Sequence, residues 1–245
     1  MSLPKIALAD IPVRILLISA SPRARSNTMW LIDRARQGAL SLGNVETELF
    51  SFKGKPMAPC KGCTPYCEKN KKCITEDAFQ ELTAMWLRAD GIIWGMPVYT
   101  FGPPAQARAW MDRFGEIFFQ NARNKGRPLL RFLKPTGVLV QGSSRFGGQE
   151  LTAQSMLQHI VMEDCIPVSG DMPPDDQGVL AQVIDKTTPA GDEKLLQAAY
   201  RMGVRVAEMT KIIKAGKLAL ASSLPDVYWY SKTQLGEVER PMREA

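Results

Sequence analysis

Short apolar, β-branched runs that alternate with helix-patterned segments leave this chain few architectures to adopt. Residues 13–19 (VRILLIS) form one such run, which enters a Ser/Pro/Arg/Asn/Thr loop before a helical pattern begins near Thr28. The alternation recurs: a strand over 45–50 with a helix over 77–88, a strand over 91–95 with a helix over 104–119, and a strand over 136–141 with a helix over 149–162. Residues 165–169 supply a fifth strand, and 193–214 the last long helix. Strands that are apolar throughout must be covered on both faces, so the pattern predicts an α/β fold with a doubly wound parallel sheet. Ligands bind such sheets beyond the carboxyl ends of the strands, and the loops starting at Ser19, Met96 and Gly142 are expected to converge there.

With 245 residues, 45% of them hydrophobic, the chain can bury one sizeable core without disulfides. Its longest apolar runs are strand-sized, far short of the roughly 20 residues of a membrane span. Asp10 precedes the first run and breaks any resemblance to a signal peptide, which predicts a cytoplasmic protein. The expected organisation is one domain over 1–215, carrying a cysteine-rich insertion at 53–75, and a tail over 216–245. The Pro/Asp/Gly-rich stretch 171–191 reads as a surface loop. In the tail, Val227, Tyr228, Trp229 and Tyr230 suit either a subunit contact or packing back on the domain. A net charge of +6 is compatible with anionic ligands. Lys125, Arg127 and Arg131 leave room for an anion or nucleic-acid patch, but interleaved aromatics and a recognised nucleic-acid motif are lacking.

The first loop, Ser19-Ala20-Ser21-Pro22-Arg23-Ala24-Arg25-Ser26-Asn27-Thr28, offers hydroxyls, an amide and two guanidinium groups at a helix start. A phosphate monoester there gains backbone N–H donors and the positive end of the helix dipole, with Ser21, Ser26 and Thr28 as further donors and Arg23 as a charged partner. A dinucleotide fold would show GxGxxG and an acidic residue ending the second strand; that strand ends Leu49-Phe50-Ser51 instead. The competing reading is that Asn27 or Ser26 caps the helix while the arginines sit in solvent. The second loop, Met96 through Pro104 (MPVYTFGPP), presents aromatics on a proline-stiffened chain suited to a flat ring. In the third, Gly142 through Glu150 (GSSRFGGQE), glycines let backbone amides approach a ligand.

These loops, with Pro59-Cys60-Lys61-Gly62-Cys63, resemble the NADPH-dependent FMN reductase and flavodoxin-like oxidoreductase family, particularly its iron-sulfur flavoprotein branch, over about residues 13–162. The resemblance implies a flavodoxin-like five-stranded sheet of order 2-1-3-4-5. It implies FMN as cofactor, with its phosphate held by Ser21, Arg23, Ser26, Asn27 and Thr28, and Ser19 as a further cofactor-binding residue. Pro97, Val98, Tyr99, Thr100 and Phe101 would flank the isoalloxazine, with Ser143, Gly147 and Gly148 on its other edge. Tyr99, Phe101 and Arg145 are read as positioning groups, and no acid, base or nucleophile is named. NAD(P)H would be the co-substrate, the acceptor a flavin, quinone, similar small molecule or redox protein, and the assembly a homodimer or homotetramer. A redox-sensing or binding module without enzymatic activity is the reading from another class.

Cys60, Cys63, Cys67 and Cys73 form C-x2-C-x3-C-x5-C. Four thiolates in one loop suit a [4Fe–4S] cubane, whereas zinc ribbons draw ligands from two separated knuckles. Free thiols and zinc stand as the other readings. Iron-sulfur flavoproteins commonly have two residues, not three, between the second and third cysteine. Cys165 reads as core and His159, the one histidine, as structural.

Overall fold

The computed structural model describes residues 7–120, 126, 128–144, 146–171, 177–183 and 192–229. In chain order the elements are β1 (Val13–Ser19), α1 (Asn27–Leu40), β2 (Val45–Ser51), α2 (Thr64–Asn70), α3 (Ala78–Arg88), β3 (Gly91–Pro97) and α4 (Ala105–Gly115). They continue with β4 (Pro135–Gly142), α5 (Gln149–Met162), β5 (Ile166–Pro167), β6 (Val179–Gln182) and α6 (Glu193–Ala219). One π turn, Glu116–Gln120, prolongs α4.

All strand pairs are parallel, in the order β2-β1-β3-β4-β5, with β6 also on β4. Every residue of β3 and β4 is buried, which is what their unbroken apolar sequence requires; β2, at the edge, is mostly half-buried or exposed. Trp86, Trp94, Trp110 and Phe114 pack with α3, α4 and α5 on one face of the sheet. Ile32, Ala35, Met202 and Val206 fill the other, beneath α1 and α6. Among the described residues no helix is long and apolar enough to cross a membrane.

The fifth sheet position departs from the sequence reading. Only Ile166–Pro167 of the expected 165–169 strand pairs, with Pro135 and Thr136, and further up the edge β6 pairs with Leu139 through Gly142. So part of the stretch expected to be a surface loop is a strand. The Val168 N–H still donates to the Thr136 carbonyl at 3.0 Å, and the chain returns to β4 through Gly178 at φ +108, where a Cβ would lie 2.7 Å from the Val138 carbonyl oxygen. Four residues between Gly- and Pro-rich flanks carry too little periodicity to announce a strand.

The basic segment and tail meet at Arg131. Lys125 and Arg127 lie outside the described residues, as do Arg145 and Tyr230. The Arg131 N–H donates to the Val227 carbonyl at 2.9 Å, its Nη1 donates to the Tyr228 hydroxyl at 2.9 Å, and Lys217 lies over the Trp229 ring at 5.3 Å. The tail up to Trp229 therefore packs back on its own domain, and α6 runs unbroken past residue 215.

Lys134 is buried; its Nζ donates to the carbonyls of Leu87 (3.0 Å) and Ala89 at the end of α3 and sits 4.8 Å from the Trp86 ring. Burial pushes its ammonium down to about 8, below the roughly 10.4 of a free lysine. Between those values the unfolded chain binds a proton that the folded one does not, so stability contributed by this group rises with pH there. Urea titrations at pH 8 and pH 10 should show that rise, and it should be smaller in Lys134→Met.

Candidate functional site

Strand register brings the three loops to one end of the sheet. Ser19 at the end of β1 pairs with Gly95, Pro97 at the end of β3 pairs with Gln141, and the Ala20 and Val98 N–H groups donate to Gly95 and Gln141 carbonyls, each at 2.9 Å. The chain thus leaves three adjacent strands side by side.

In the first loop, Ser26 is the N-cap of α1; its side-chain oxygen accepts from the Met29 N–H at 3.1 Å. The capping reading is right for Ser26, and its hydroxyl hydrogen remains a donor. The Ser21 hydroxyl accepts from the Arg23 N–H at 3.2 Å and tightens the turn. Arg23 is exposed and Asn27 buried. Ser19 Oγ and Thr28 Oγ1 are fully buried and have no hydrogen-bond partner among the described residues. Each such hydroxyl costs about 1–3 kcal/mol unless something accepts or donates there. Orphaned hydroxyls beside the first N–H groups of α1 suit an anion with several acceptor oxygens, so the residues present fit the phosphate of FMN.

The second loop is strained. Tyr99 and Gly102 exchange backbone hydrogen bonds of 2.9 and 3.1 Å around Thr100 (φ +49) and Phe101 (φ +62). Both central residues are left-handed, as in the turns that normally take Asn-Gly, yet one is β-branched and the other aromatic. Such backbone costs about 1–3 kcal/mol per residue and persists where surrounding structure or ligand fixes it. Tyr99, Thr100 and Phe101 are exposed, Val98 is half-buried and Pro97 buried. The third loop lies directly on the second: Gly148 has φ +96, and a Cβ on it would meet Phe101 Cα at 2.7 Å. Ser143 is exposed and Gly147 half-buried. A residue that sequence reasoning treated as mere helix start, Gln149, is buried and donates from Nε2 to the carbonyls of Ser144 (2.8 Å) and Ala181 (3.3 Å). It ties the loop to β6, and without β6 in view its role carried no signal.

The cysteine segment is also organised, around the short helix α2 that sequence reading did not foresee. Cys63 is the N-cap of α2, Cys67 lies in its last turn, and all five cysteines are free thiols. Burial, then the neighbouring Cys63, Cys73 and Cys60, push the Cys67 thiol up to about 11. No group of three or more His, Cys, Asp or Glu side chains suited to hold a metal ion is found among the described residues. A cubane has a different demand, taking each cysteine at a separate iron, and a loop of four free thiols fits that donor set. Beside Cys60 and Gly62 a cleft of ≈ 630 Å³ runs between α4 and α5. His159 lies at its inner wall, with Nε2 2.9 Å from Oε1 of the fully buried Glu163. Cys165 is core, its thiol pushed well up by burial.

A parallel sheet of this order, with a phosphate-type helix N-terminus and an aromatic turn over the adjacent strand, defines a flavodoxin-like flavin oxidoreductase. The chain belongs to the NADPH-dependent FMN reductase family, whose model matches residues 13–171. It is 33% identical over 204 residues to an iron-sulfur flavoprotein of Methanocaldococcus jannaschii, covering 82% of this chain and all of that one. It is 28% identical over 207 residues to a quinone oxidoreductase of Triphysaria versicolor, covering 75% and 89%. Among solved structures, an NAD(P)H:quinone oxidoreductase from Methanothermobacter marburgensis superposes with a TM-score of 0.56 at 14% identity, covering 79% of this chain and 95% of that one.

Proposed function

We propose that this protein uses FMN to oxidise NAD(P)H and reduce a flavin, quinone or similar small acceptor. The observation that carries the reading is the meeting of three loops at one rim, with the buried, unpartnered hydroxyls of Ser19 and Thr28 at its base. Bound FMN would supply the hydride chemistry. The chain's part is placement: Ser21, Ser26, Thr28 and the first turn of α1 hold the phosphate, and exposed Arg23 adds charge. The strained Tyr99–Gly102 turn offers two aromatic rings and exposed backbone to a flat heterocycle, with Gly147 and Gly148 closing the other side. Purified protein is expected to show flavin absorption bands and to oxidise NADH or NADPH with a quinone or free flavin as acceptor. A colourless protein that takes up no FMN would refute this reading.

Four free thiols in one short segment, with Cys63 capping α2 and Cys67 within it, favour a second reading, an electron carrier pairing FMN with a [4Fe–4S] cluster. The two sites would sit at opposite ends of α4, whose N-terminus adjoins the flavin loop. An anaerobic spectrum with broad iron-sulfur absorption beneath the flavin bands supports it; flavin bands alone remove it.

A further inference from the structure

The flavin reading gives Arg113, one of several buried cations, no task. Arg113, in the last turn of α4, is 2% exposed and faces the base of the cysteine segment. Its Nε donates to Cys73 Sγ at 3.3 Å and its Nη2 to the Thr75 carbonyl at 2.7 Å. Its Nη1 meets both Asp77 carboxylate oxygens at 2.8 Å and the Ala58 carbonyl at 3.2 Å, and the guanidinium lies 4.3 Å over the Phe79 ring. Asp77 also accepts from the N–H groups of Ala58 (2.8 Å) and Phe79 (2.9 Å). Burial opposes its ionisation, but these donors and Arg113 outweigh burial and hold its carboxyl below the usual range. One side chain thus fastens both limbs of the segment, the limb leading to Cys60 and the limb leaving Cys73. Three residues along, in the π turn that prolongs α4, Glu116 accepts from the Thr64 hydroxyl at 3.4 Å, a second tie to α2.

A buried Arg–Asp pair is a weak source of stability, since well-packed apolar residues often do as well. An apolar pair could not, however, aim an N–H at a cysteine sulfur. We propose that Arg113 is a positioning residue for Cys73: it fixes that sulfur as a cluster ligand and raises the reduction potential of the cluster that Cys60, Cys63, Cys67 and Cys73 would hold. The inference rests on the second reading above and says which residue of this chain tunes it. The physical cause is the aimed N–H, since Asp77 balances the charge of the guanidinium. A one-electron reduction adds negative charge to the cluster and its thiolates, and a fixed N–H donor on one sulfur stabilises the reduced form more than the oxidised.

The test uses the full chain, reconstituted anaerobically with ferrous iron and sulfide, alongside R113K and the double variant R113Q/D77N. A lysine keeps the charge facing Asp77 but has no fork to reach Asp77, Thr75 and Cys73 together; the double variant removes both charges, so neither is stranded. Arg113 lies about 12 Å along α4 from its N-terminus, so FMN content should be unchanged in both and reports intact folding. Both variants are expected to lose at least half the bound iron. In the fraction that retains it, the reduced-to-oxidised ratio at a given potential should fall about tenfold, 59 mV for a one-electron couple. Variants with full iron and an unshifted midpoint overturn the role of Arg113. No iron uptake by the unsubstituted protein overturns the cluster reading itself, and this inference with it. Labelling the unsubstituted protein with 15N-arginine needs no variant: hyperfine coupling of an arginine nitrogen to the reduced cluster is expected, and its absence refutes the contact.

Discussion

Gly203→Ala is expected to destabilise the domain by about 3 kcal/mol and to weaken FMN retention with it. Gly203 lies in α6 where that helix crosses α1, and an added Cβ would stand 1.8 Å from the Ala35 carbonyl oxygen. The reciprocal contact is as tight: a Cβ on Gly38 would stand 2.0 Å from the Tyr200 carbonyl oxygen. Both obstacles are backbone, so no rotamer change relieves them and the helices must separate. Side chains that now interlock beneath them, among them Ile32, Ala35, Met202 and Val206, would then lose contact. In a native interior a methyl group added against backbone is overpacking, which outweighs the few tenths of a kcal/mol to about 1 that alanine gains over glycine in helix propensity. Since Ser26, Asn27 and Thr28 begin α1, a displaced α1 also misplaces the phosphate loop. Urea denaturation followed by circular dichroism, paired with an FMN titration, checks both effects. A midpoint equal to that of the unsubstituted protein would mean that the helices cross further apart than the structure shows.

The sheet was legible because it is written in a repeated pattern: β1, β3 and β4 are continuous apolar runs, and each is followed by a loop rich in Ser, Gly or Pro and then a helix. The register of those strands then decides the site, since adjacent parallel strands of similar length must release their loops side by side. That is why the loops starting at Ser19, Met96 and Gly142 could be grouped from the sequence. What escaped had no periodic expression. Strand β6 is four residues long and depends on a left-handed Gly178 against β4. Helix α2 is two turns built on Cys63 as cap and closed by Lys71 at φ +55. Arg113 depends on residues 36 to 55 positions away that only the folded chain brings to it. Long-range polar hubs have no local signature, because their partners share neither a face nor a spacing. The fused tail illustrates the same limit: an aromatic cluster announces burial, while its partner Arg131 is set by the fold.

Thr28→Val is expected to act with opposite signs on the two states of the protein. In the FMN-free chain, the Thr28 hydroxyl is fully buried in the first turn of α1 and has no partner among the described residues. Valine has nearly the same shape and nothing to leave unsatisfied, so the FMN-free protein should gain about 1 kcal/mol, the lower end of the cost of such a group. If the same hydroxyl donates to the phosphate, its loss removes a hydrogen bond to a charged acceptor, about 1.5–3 kcal/mol. At 1.4 kcal/mol per factor of ten, the FMN dissociation constant should then rise roughly ten- to a hundredfold. Ser26→Ala provides the contrast. Its oxygen accepts from the Met29 N–H, so its removal takes away a helix cap, about 1 kcal/mol, and lowers stability and affinity together. A purely structural Thr28 would behave as a core position does, changing stability while leaving the dissociation constant alone. Opposite signs at Thr28 and equal signs at Ser26 are therefore the signature of a helix N-terminus shaped for an anion, measurable by thermal melting of FMN-free protein and by fluorescence titration with FMN. An unchanged affinity in Thr28→Val would show that the buried hydroxyls do not face the phosphate.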